Sequence, residues 1–202
     1  MENKIIENHQ RFLERVALHR KFGYDIDKER SFIIEKARPV AGNILEAGTG
    51  KGYFALALAR EGFDFTSFDI SDTEQQYARL NLMYYGWEKR IRFDLADAAA
   101  LPYADGSFDA VFSVNMIHHL SSVTRVINEF IRILSPSGKL ILSDFNAHGM
   151  AIMDKVHASD GRKHETGEGT LADARAIIIK AGFKLSEYQS ESQDVIVACR
   201  IK

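Results

Sequence analysis

Between a short apolar run and a helical segment lies Leu45-Glu46-Ala47-Gly48-Thr49-Gly50-Lys51-Gly52. No other stretch narrows the possible folds as much. Glycines at alternate positions let the backbone turn sharply and approach a ligand with no Cβ in the way. The helix that follows points its free N–H groups at whatever sits there. A nucleoside triphosphate loop ends in Gly-Lys-Ser/Thr, but here Gly50-Lys51 is followed by Gly52, so the hydroxyl that holds magnesium is missing. A dinucleotide loop needs G-x-G-x-x-G, and counting from Gly48 the last position is Tyr53. What remains is an acidic residue followed by alternate glycines: Glu46, Gly48, Gly50 and Gly52.

The loop sits inside an alternation of strands and helices. Apolar runs predict strands over 43–47, 63–68, 91–95, 108–114 and 139–144. Helical spacing predicts helices over 54–60, 73–85 and 123–134, the first two closed by Gly62 and Gly86. Pro136-Ser137-Gly138 reads as a turn. Such an order calls for right-handed crossovers and a parallel sheet covered on both faces. The tail differs, with a helix over 171–181 and strands over 183–188 and 195–201 spaced as an antiparallel pair. Residues 146–170 are the least regular part. Ahead of the loop, residues 2–20 predict a helix with Ile5, Ile6, His9, Phe12, Leu13, Val16 and Ala17 on one stripe, and a second helix runs over 27–37.

Two carboxylates fall where a nucleoside ligand needs them. Asp69 ends the second strand about twenty residues after the glycines, where a carboxylate can accept both ribose hydroxyls. The competing role is helix N-cap, for which Ser71 or Asp72 is better placed. Ile70 is positioned to pack on a base. Asp97-Ala98 follows the third strand.

Glu46 with its glycines resembles the first motif of class I S-adenosylmethionine-dependent methyltransferases. Ala96-Asp97-Ala98-Ala99-Ala100-Leu101-Pro102-Tyr103 resembles the family's adenine motif. Ser107 to Val114 resembles its fourth strand, Asn115-Met116-Ile117-His118-His119-Leu120 the segment after it, and Pro136 to Leu140 the turn into its fifth. The resemblance covers residues 40–145 or so, and is closest to the small-molecule branch with the ubiquinone and menaquinone methyltransferases. It implies an α/β, Rossmann-like, doubly wound and mostly parallel seven-stranded sheet, with an antiparallel C-terminal strand and helices on both faces. It implies S-adenosyl-L-methionine as cofactor, held by Glu46, Gly48, Thr49, Gly50, Gly52, Asp69, Ile70, Asp97, Ala98 and Asn115. Glu46 then serves the methionine ammonium, and Asp97 with the N–H of Ala98 reads the adenine edge. A cationic ligand suits an acidic strand end.

The implied reaction is methyl transfer to a small-molecule acceptor by in-line displacement. The donor is already activated, so the protein must mainly align the acceptor and exclude water. A nicotinamide-dependent oxidoreductase is disfavoured by Tyr53; a non-catalytic cofactor-binding or regulatory module stays open. Ser113-Val114-Asn115-Met116 lacks the Asn/Asp-Pro-Pro-aromatic run of amino-methylating nucleic acid enzymes. Cys199 lies far from any nucleophile position, and no paired glutamates follow Val114 to hold a guanidinium.

Three places compete for the acceptor. His118, after the fourth strand, is the candidate catalytic residue, able to orient or deprotonate an acceptor; His119 has a weaker claim. Asp154, His157, Asp160, Arg162, His164 and Glu165 read as a solvated loop, an acceptor contact or a metal cluster. Their spacing matches no metal motif, so no metal site is assigned. The third place is an N-terminal helical cap over 1–39, ahead of the methyltransferase domain at 40–202, with Gly23 as hinge and Tyr24 closing on the sulfonium.

Composition sets the remaining bounds. The 202 residues carry 26 basic and 28 acidic side chains, a formal charge of -2, so no nucleic acid is expected as partner. One cysteine rules out an internal disulfide. No stretch approaches the roughly 20 apolar residues of a membrane span. The expectation is a cytoplasmic protein with no membrane association, able to form a homodimer.

Overall fold

A computed structural model describes residues 2–200. The chain order is α1 (Glu2–Lys21), α2 (Ile26–Ala37), β1 (Ile44–Ala47), α3 (Tyr53–Arg60), β2 (Phe65–Asp69), α4 (Asp72–Tyr84), β3 (Ile91–Leu95), β4 (Phe108–Val114), α5 (Val123–Ile133), β5 (Leu134–Phe145), α6 (Ala147–Ser159), α7 (Leu171–Lys180), β6 (Phe183–Gln189) and β7 (Gln193–Arg200). The expected strand end at Ile201 lies outside the described residues.

The strands form one seven-stranded sheet in the order β3-β2-β1-β4-β5-β7-β6. β1 is parallel to β2 and β4, β2 to β3, and β4 to β5. β7 runs antiparallel to both β5 and β6. The order reverses between β1 and β4. Helices leave the sheet in opposite directions there, which opens a crevice beyond the carboxyl ends of the two strands.

Alternation along the strands feeds two cores. Leu45, Val111, Leu140, Leu142, Ile196 and Ala198 face the layer of α5 and α7, against Phe130, Ile133, Ala174 and Ile178. Ile44, Ala110, Phe112, Ile141, Val195 and Val197 face the other layer, against Ile33, Ile34, Phe54, Leu58 and Leu82. Burial on both faces is why these strands read as nearly unbroken apolar runs. A third cluster joins Tyr24 and Ile26 to Ile152, Met153 and Val156 of α6, over the carboxyl edge of the sheet.

Three expectations need correction. Pro136-Ser137-Gly138 is not a turn between elements: α5 passes directly into β5, and the pairing with β4 jumps from Phe108–Leu134 to Ala110–Lys139. The strand absorbs the extra residues as an irregularity because its neighbours hold it on both sides of them. Residues 147–159 are helical, not irregular. Asn146 caps this α6 by accepting from the N–H of Gly149 at 3.0 Å, and Gly149, Ile152, Met153 and Val156 form its buried stripe. Gly149 marks close packing: a Cβ there would sit 2.2 Å from the carbonyl oxygen of Ser192. The α1 stripe holds only in part: His9 is buried and Phe12 and Val16 pack against the cores, but Ile6 and Leu13 point outward, and Asn8 and His19 are buried instead. Polar side chains bury there because α4 supplies partners. The amide of Asn8 donates to Asn81 Oδ1 at 2.9 Å and to the carbonyl of Tyr77 at 3.1 Å, and His9 stacks on Tyr84.

Candidate functional site

The glycine loop leaves β1 and turns at once. Gly48, Gly50 and Gly52 hold φ of +80°, +49° and +85°. The N–H groups of Gly48 and Thr49 both donate to the carbonyl of Phe68, at 2.9 and 3.0 Å, which clamps the loop to β2. Beneath it runs a buried chain. The Ser67 hydroxyl donates to Glu46 Oε2 at 2.6 Å, Thr49 Oγ1 lies 2.6 Å from Ser67 Oγ, and the Gln75 amide donates to Thr49 Oγ1 at 3.3 Å. The Thr49 hydroxyl therefore braces the loop from below.

Glu46 is 2 % exposed. Burial pushes its carboxyl up to about 8, against the opposing pull of the Ser67 hydrogen bond. It lines a cavity of about 210 Å³ together with Gly48, Thr49, Gly50, Asn115, Tyr24 and Arg30. Arg30 comes from α2 and is buried. One Nη donates to Tyr24 Oη at 2.9 Å, while its Nε has no partner. A carboxyl group and a guanidinium thus face the same small space. Tyr24 Oη also accepts from the Gln193 amide at 2.7 Å, so the segment after α1 is tied to β7.

The same cavity is also lined by His118, His119, His157, His164 and Phe145. His118 sits in a single 3-10 turn after β4, and Asp144 at the end of β5 holds it. Asp144 Oδ1 lies 2.5 Å from His118 Nδ1, and Oδ2 accepts from the His118 backbone N–H at 2.9 Å. His118 Nε2 is buried without a partner. His119 and His164 are held below the ordinary imidazole range, chiefly by burial and next by the neighbouring His118. Burial, then His164 and Arg162, drives His157 down to about 4. Asn115 has φ of +54°, and its side-chain oxygen is buried with no partner.

The remaining candidates do not line this cavity. Asp69 is half-buried: Oδ2 accepts from the Gly50 N–H at 2.7 Å and Oδ1 from the Ser71 N–H at 2.9 Å. A carboxylate accepts about four hydrogen bonds, so two places stay free. Ser71, not Asp69, caps α4. Ile70 is 73 % exposed, and Leu95, which pairs with Asp69 across the sheet, is 62 % exposed. Asp97 is exposed and accepts from the Ala99 N–H at 2.8 Å, while Ala98 packs into the core. Gly52 is buried under α4 and serves as N-cap of α3.

Sequence reasoning missed Arg30, Ser67, Asp144 and Gln193. Asp144 carried a faint signal as the acidic end of a strand beside the switch point. The others carried none: Ser67 and Gln193 meet partners distant in the chain, and only the fold brings Arg30 to the cavity that Glu46 lines. A larger open groove of about 540 Å³ includes Ile44, Phe65 and Phe108, at the amino ends of β1, β2 and β4, the end of such a sheet that does not take ligands.

Residues 45–142 match the model of the methyltransferase domain family. The glycine turn, its buried carboxylate and the switch-point cavity all lie on or around that segment. Residues 45–142 thus form a methyltransferase domain of the class I S-adenosylmethionine-dependent type. The chain is 33 % identical over 160 residues to methyltransferase GfsG of Streptomyces halstedii, covering 74 % of the chain and 55 % of that protein. It is 32 % identical over 157 residues to the 27-O-demethylrifamycin SV methyltransferase of Amycolatopsis mediterranei, covering 74 % of the chain and 57 % of that protein. The chain thus spans little more than half the length of these relatives. A crystal structure described as a putative S-adenosyl-L-methionine-dependent methyltransferase from Methanococcus maripaludis superposes with a TM-score of 0.71, covering 95 % of this chain and 92 % of that one at 16 % identity. That likeness is one of fold. No helix among the described residues is long and apolar enough to cross a membrane.

Proposed function

We propose that this methyltransferase moves the methyl group of S-adenosylmethionine to a small-molecule acceptor by in-line displacement. The observation that carries the reading is one cavity lined by Glu46 and Arg30 together with the glycine loop and by His118. The first pair suits a zwitterion: Glu46 takes the ammonium of the methionine moiety, and Arg30, with an unpartnered Nε, takes its carboxylate. At about 210 Å³ the cavity is smaller than the ~300–1,000 Å³ of pockets that enclose a whole ligand, so it takes only part of the cofactor. The adenosine then lies outside it, its ribose on Asp69, its base against Ile70 and Leu95, its edge at Asp97 and Ala98. Thr49 and Gly52 shape the loop, and Asn115 faces the methionine end. His118 presents Nε2 to the acceptor. Small-molecule acceptors fit the rifamycin precursor named in one relative.

Calorimetry with S-adenosylhomocysteine tests the binding half, and methyl release from labelled cofactor with an acceptor panel tests the transfer half. Binding without any release favours the non-catalytic module.

Glu46 supplies a sharper test. Its pKa rises on folding from 4.5 to about 8, so the unfolded chain ionises first and stability falls as pH rises through that window. An ammonium placed against Glu46 ionises it. Binding at pH 7 is therefore expected to release on the order of one proton, read as a buffer-dependent heat. Glu46→Gln should abolish the release and flatten the stability slope; an unchanged release would exclude Glu46 as its source.

The N-terminal segment acts as a cap. α1 packs on α4, and Arg15 pairs with Asp160 beyond α6. Deleting residues 2–21 is expected to weaken S-adenosylhomocysteine binding on the order of tenfold, about 1.4 kcal/mol. Unaltered affinity in the truncated, folded chain would leave α1 a structural brace.

A further inference from the structure

We infer that His118, His119 and His164 form a binding site for a divalent transition-metal ion of the zinc type, facing the cavity. One ring nitrogen of each lies within 4.8 Å of the other two. The rings crowd together, with centroids 3.9 Å apart for His118–His119, 5.3 Å for His118–His164 and 5.8 Å for His119–His164.

Ring orientation argues for a ligand more strongly than proximity does. In each histidine Nδ1 is already engaged. His118 Nδ1 is 2.5 Å from Asp144 Oδ1, His119 Nδ1 is 3.0 Å from the carbonyl of Glu165, and His164 Nδ1 is 3.3 Å from Asp154 Oδ1. Metal-binding imidazoles are oriented in this way: one nitrogen donates to a carboxylate or carbonyl, and the other keeps its lone pair for the ion. Nε2 is then the nitrogen each ring has free, and all three rings line the cavity. The second, independent observation is that His118 Nε2 is buried and has no partner. A buried ring nitrogen without a partner is expensive to keep, and an ion facing it removes the cost.

The chain is built to bring His164 there. The Gly167 N–H donates to the carbonyl of His118 at 2.7 Å. A Cβ on Gly167 would lie 2.6 Å from the carbonyl oxygen of Leu120, and one on Gly169 2.6 Å from that of Ile117. The loop therefore presses backbone to backbone on the turn that carries His118 and His119. His157, which also lines the cavity, stacks on His164 with centroids 4.7 Å apart.

Three neutral nitrogens with no thiolate suit zinc, and also copper, iron or nickel. Three protein ligands leave the fourth position open, as in catalytic zinc sites. That position would take a hydroxyl or thiol of the acceptor. Bound there, the acceptor loses its proton to water more readily. Its oxygen or sulfur then bonds the methyl carbon as the carbon–sulfur bond of the sulfonium breaks, the electron pair staying on sulfur. No oxidant or reductant enters. This acceptor role rests on the methyl-transfer reading; metal binding itself does not.

The test is titration of the chelator-treated full chain with zinc, and with cobalt as a visible probe. One ion per chain is expected, with cobalt d–d bands in the visible. His119→Ala and His164→Ala should each weaken binding at least tenfold, and Asp144→Asn about 10- to 100-fold through the held nitrogen. His148, which faces Glu191 elsewhere on the surface, is the control, and His148→Ala should change nothing. No saturable binding, or binding indifferent to both His119→Ala and His164→Ala, overturns the inference. A thermal shift with S-adenosylhomocysteine, run alongside, separates the readings. If that shift persists without metal binding, only the metal site falls; metal binding without the shift removes the cofactor reading instead.

Discussion

Gly52→Ala is expected to destabilise the fold by roughly 2–5 kcal/mol, measured by urea unfolding. Two independent causes add. Gly52 has φ of +85°, where a Cβ costs roughly 1–2 kcal/mol. The new Cβ would also lie 2.8 Å from Ala78 Cβ and 3.0 Å from Ala78 Cα. Ala78 is fully buried in α4, so the contact cannot be relieved by a side-chain rotation. Overpacking of that kind costs about 1–3 kcal/mol. Domains commonly hold about 5–15 kcal/mol in all, so the variant is marginal. Gly50→Ala separates shape from binding. Its φ is +49°, but nothing lies within 4 Å of the added Cβ. It should fold with a loss of about 1–2 kcal/mol, yet weaken S-adenosylhomocysteine tenfold or more if the open space takes the cofactor as proposed. Equal stability losses at the two positions would contradict the packing argument, and full affinity in Gly50→Ala would remove the loop from the cofactor site.

Asp144→Asn should lower methyl transfer by about 10²- to 10⁴-fold while leaving S-adenosylhomocysteine affinity within a few-fold. Asp144 is a positioning residue. It accepts from His118 through ring and backbone, and from the Phe145 N–H at 2.9 Å. A carboxylate fixes the proton on Nδ1 and leaves the Nε2 lone pair to the cavity. An amide can turn its NH2 toward Nδ1, so the imidazole carries its proton on Nε2 and offers no lone pair. The readout that a merely structural role would not move is the ¹⁵N spectrum of His118, which reports the protonated nitrogen. A variant with unchanged tautomer and unchanged turnover would show that Asp144 only supports the strand end.

Much of this was legible in the chain, for local reasons. β3 and β4 fall at 91–95 and 108–114 as their apolar runs require, and Ser71 caps α4 as its side chain predicts. The three loop glycines show the positive φ that called for them. α6 was not legible: its stripe includes a glycine, and two histidines interrupt its apolar pattern, so packing against Ser192 and Phe145 makes a helix of what reads as a loop. The face that α1 buries was legible in part: His9, Phe12 and Val16 of the expected stripe turn inward, but Ile6 and Leu13 do not, and Asn8 is buried because α4 offers it hydrogen bonds.

The sequence by itself determined the order of strands and helices, the turn stripped of side chains, and the acidic residues that end its strands. These depend on φ preferences and on periods of two and 3.6 residues, which act over a few neighbours. The tertiary structure alone decided that Arg30 faces Glu46, that Asp144 holds His118 from 26 positions away, and that His164 reaches both His118 and His119. Those meetings follow from which strands become neighbours and from how closely glycine lets one backbone approach another. Both are settled only when the sheet closes over its two cores.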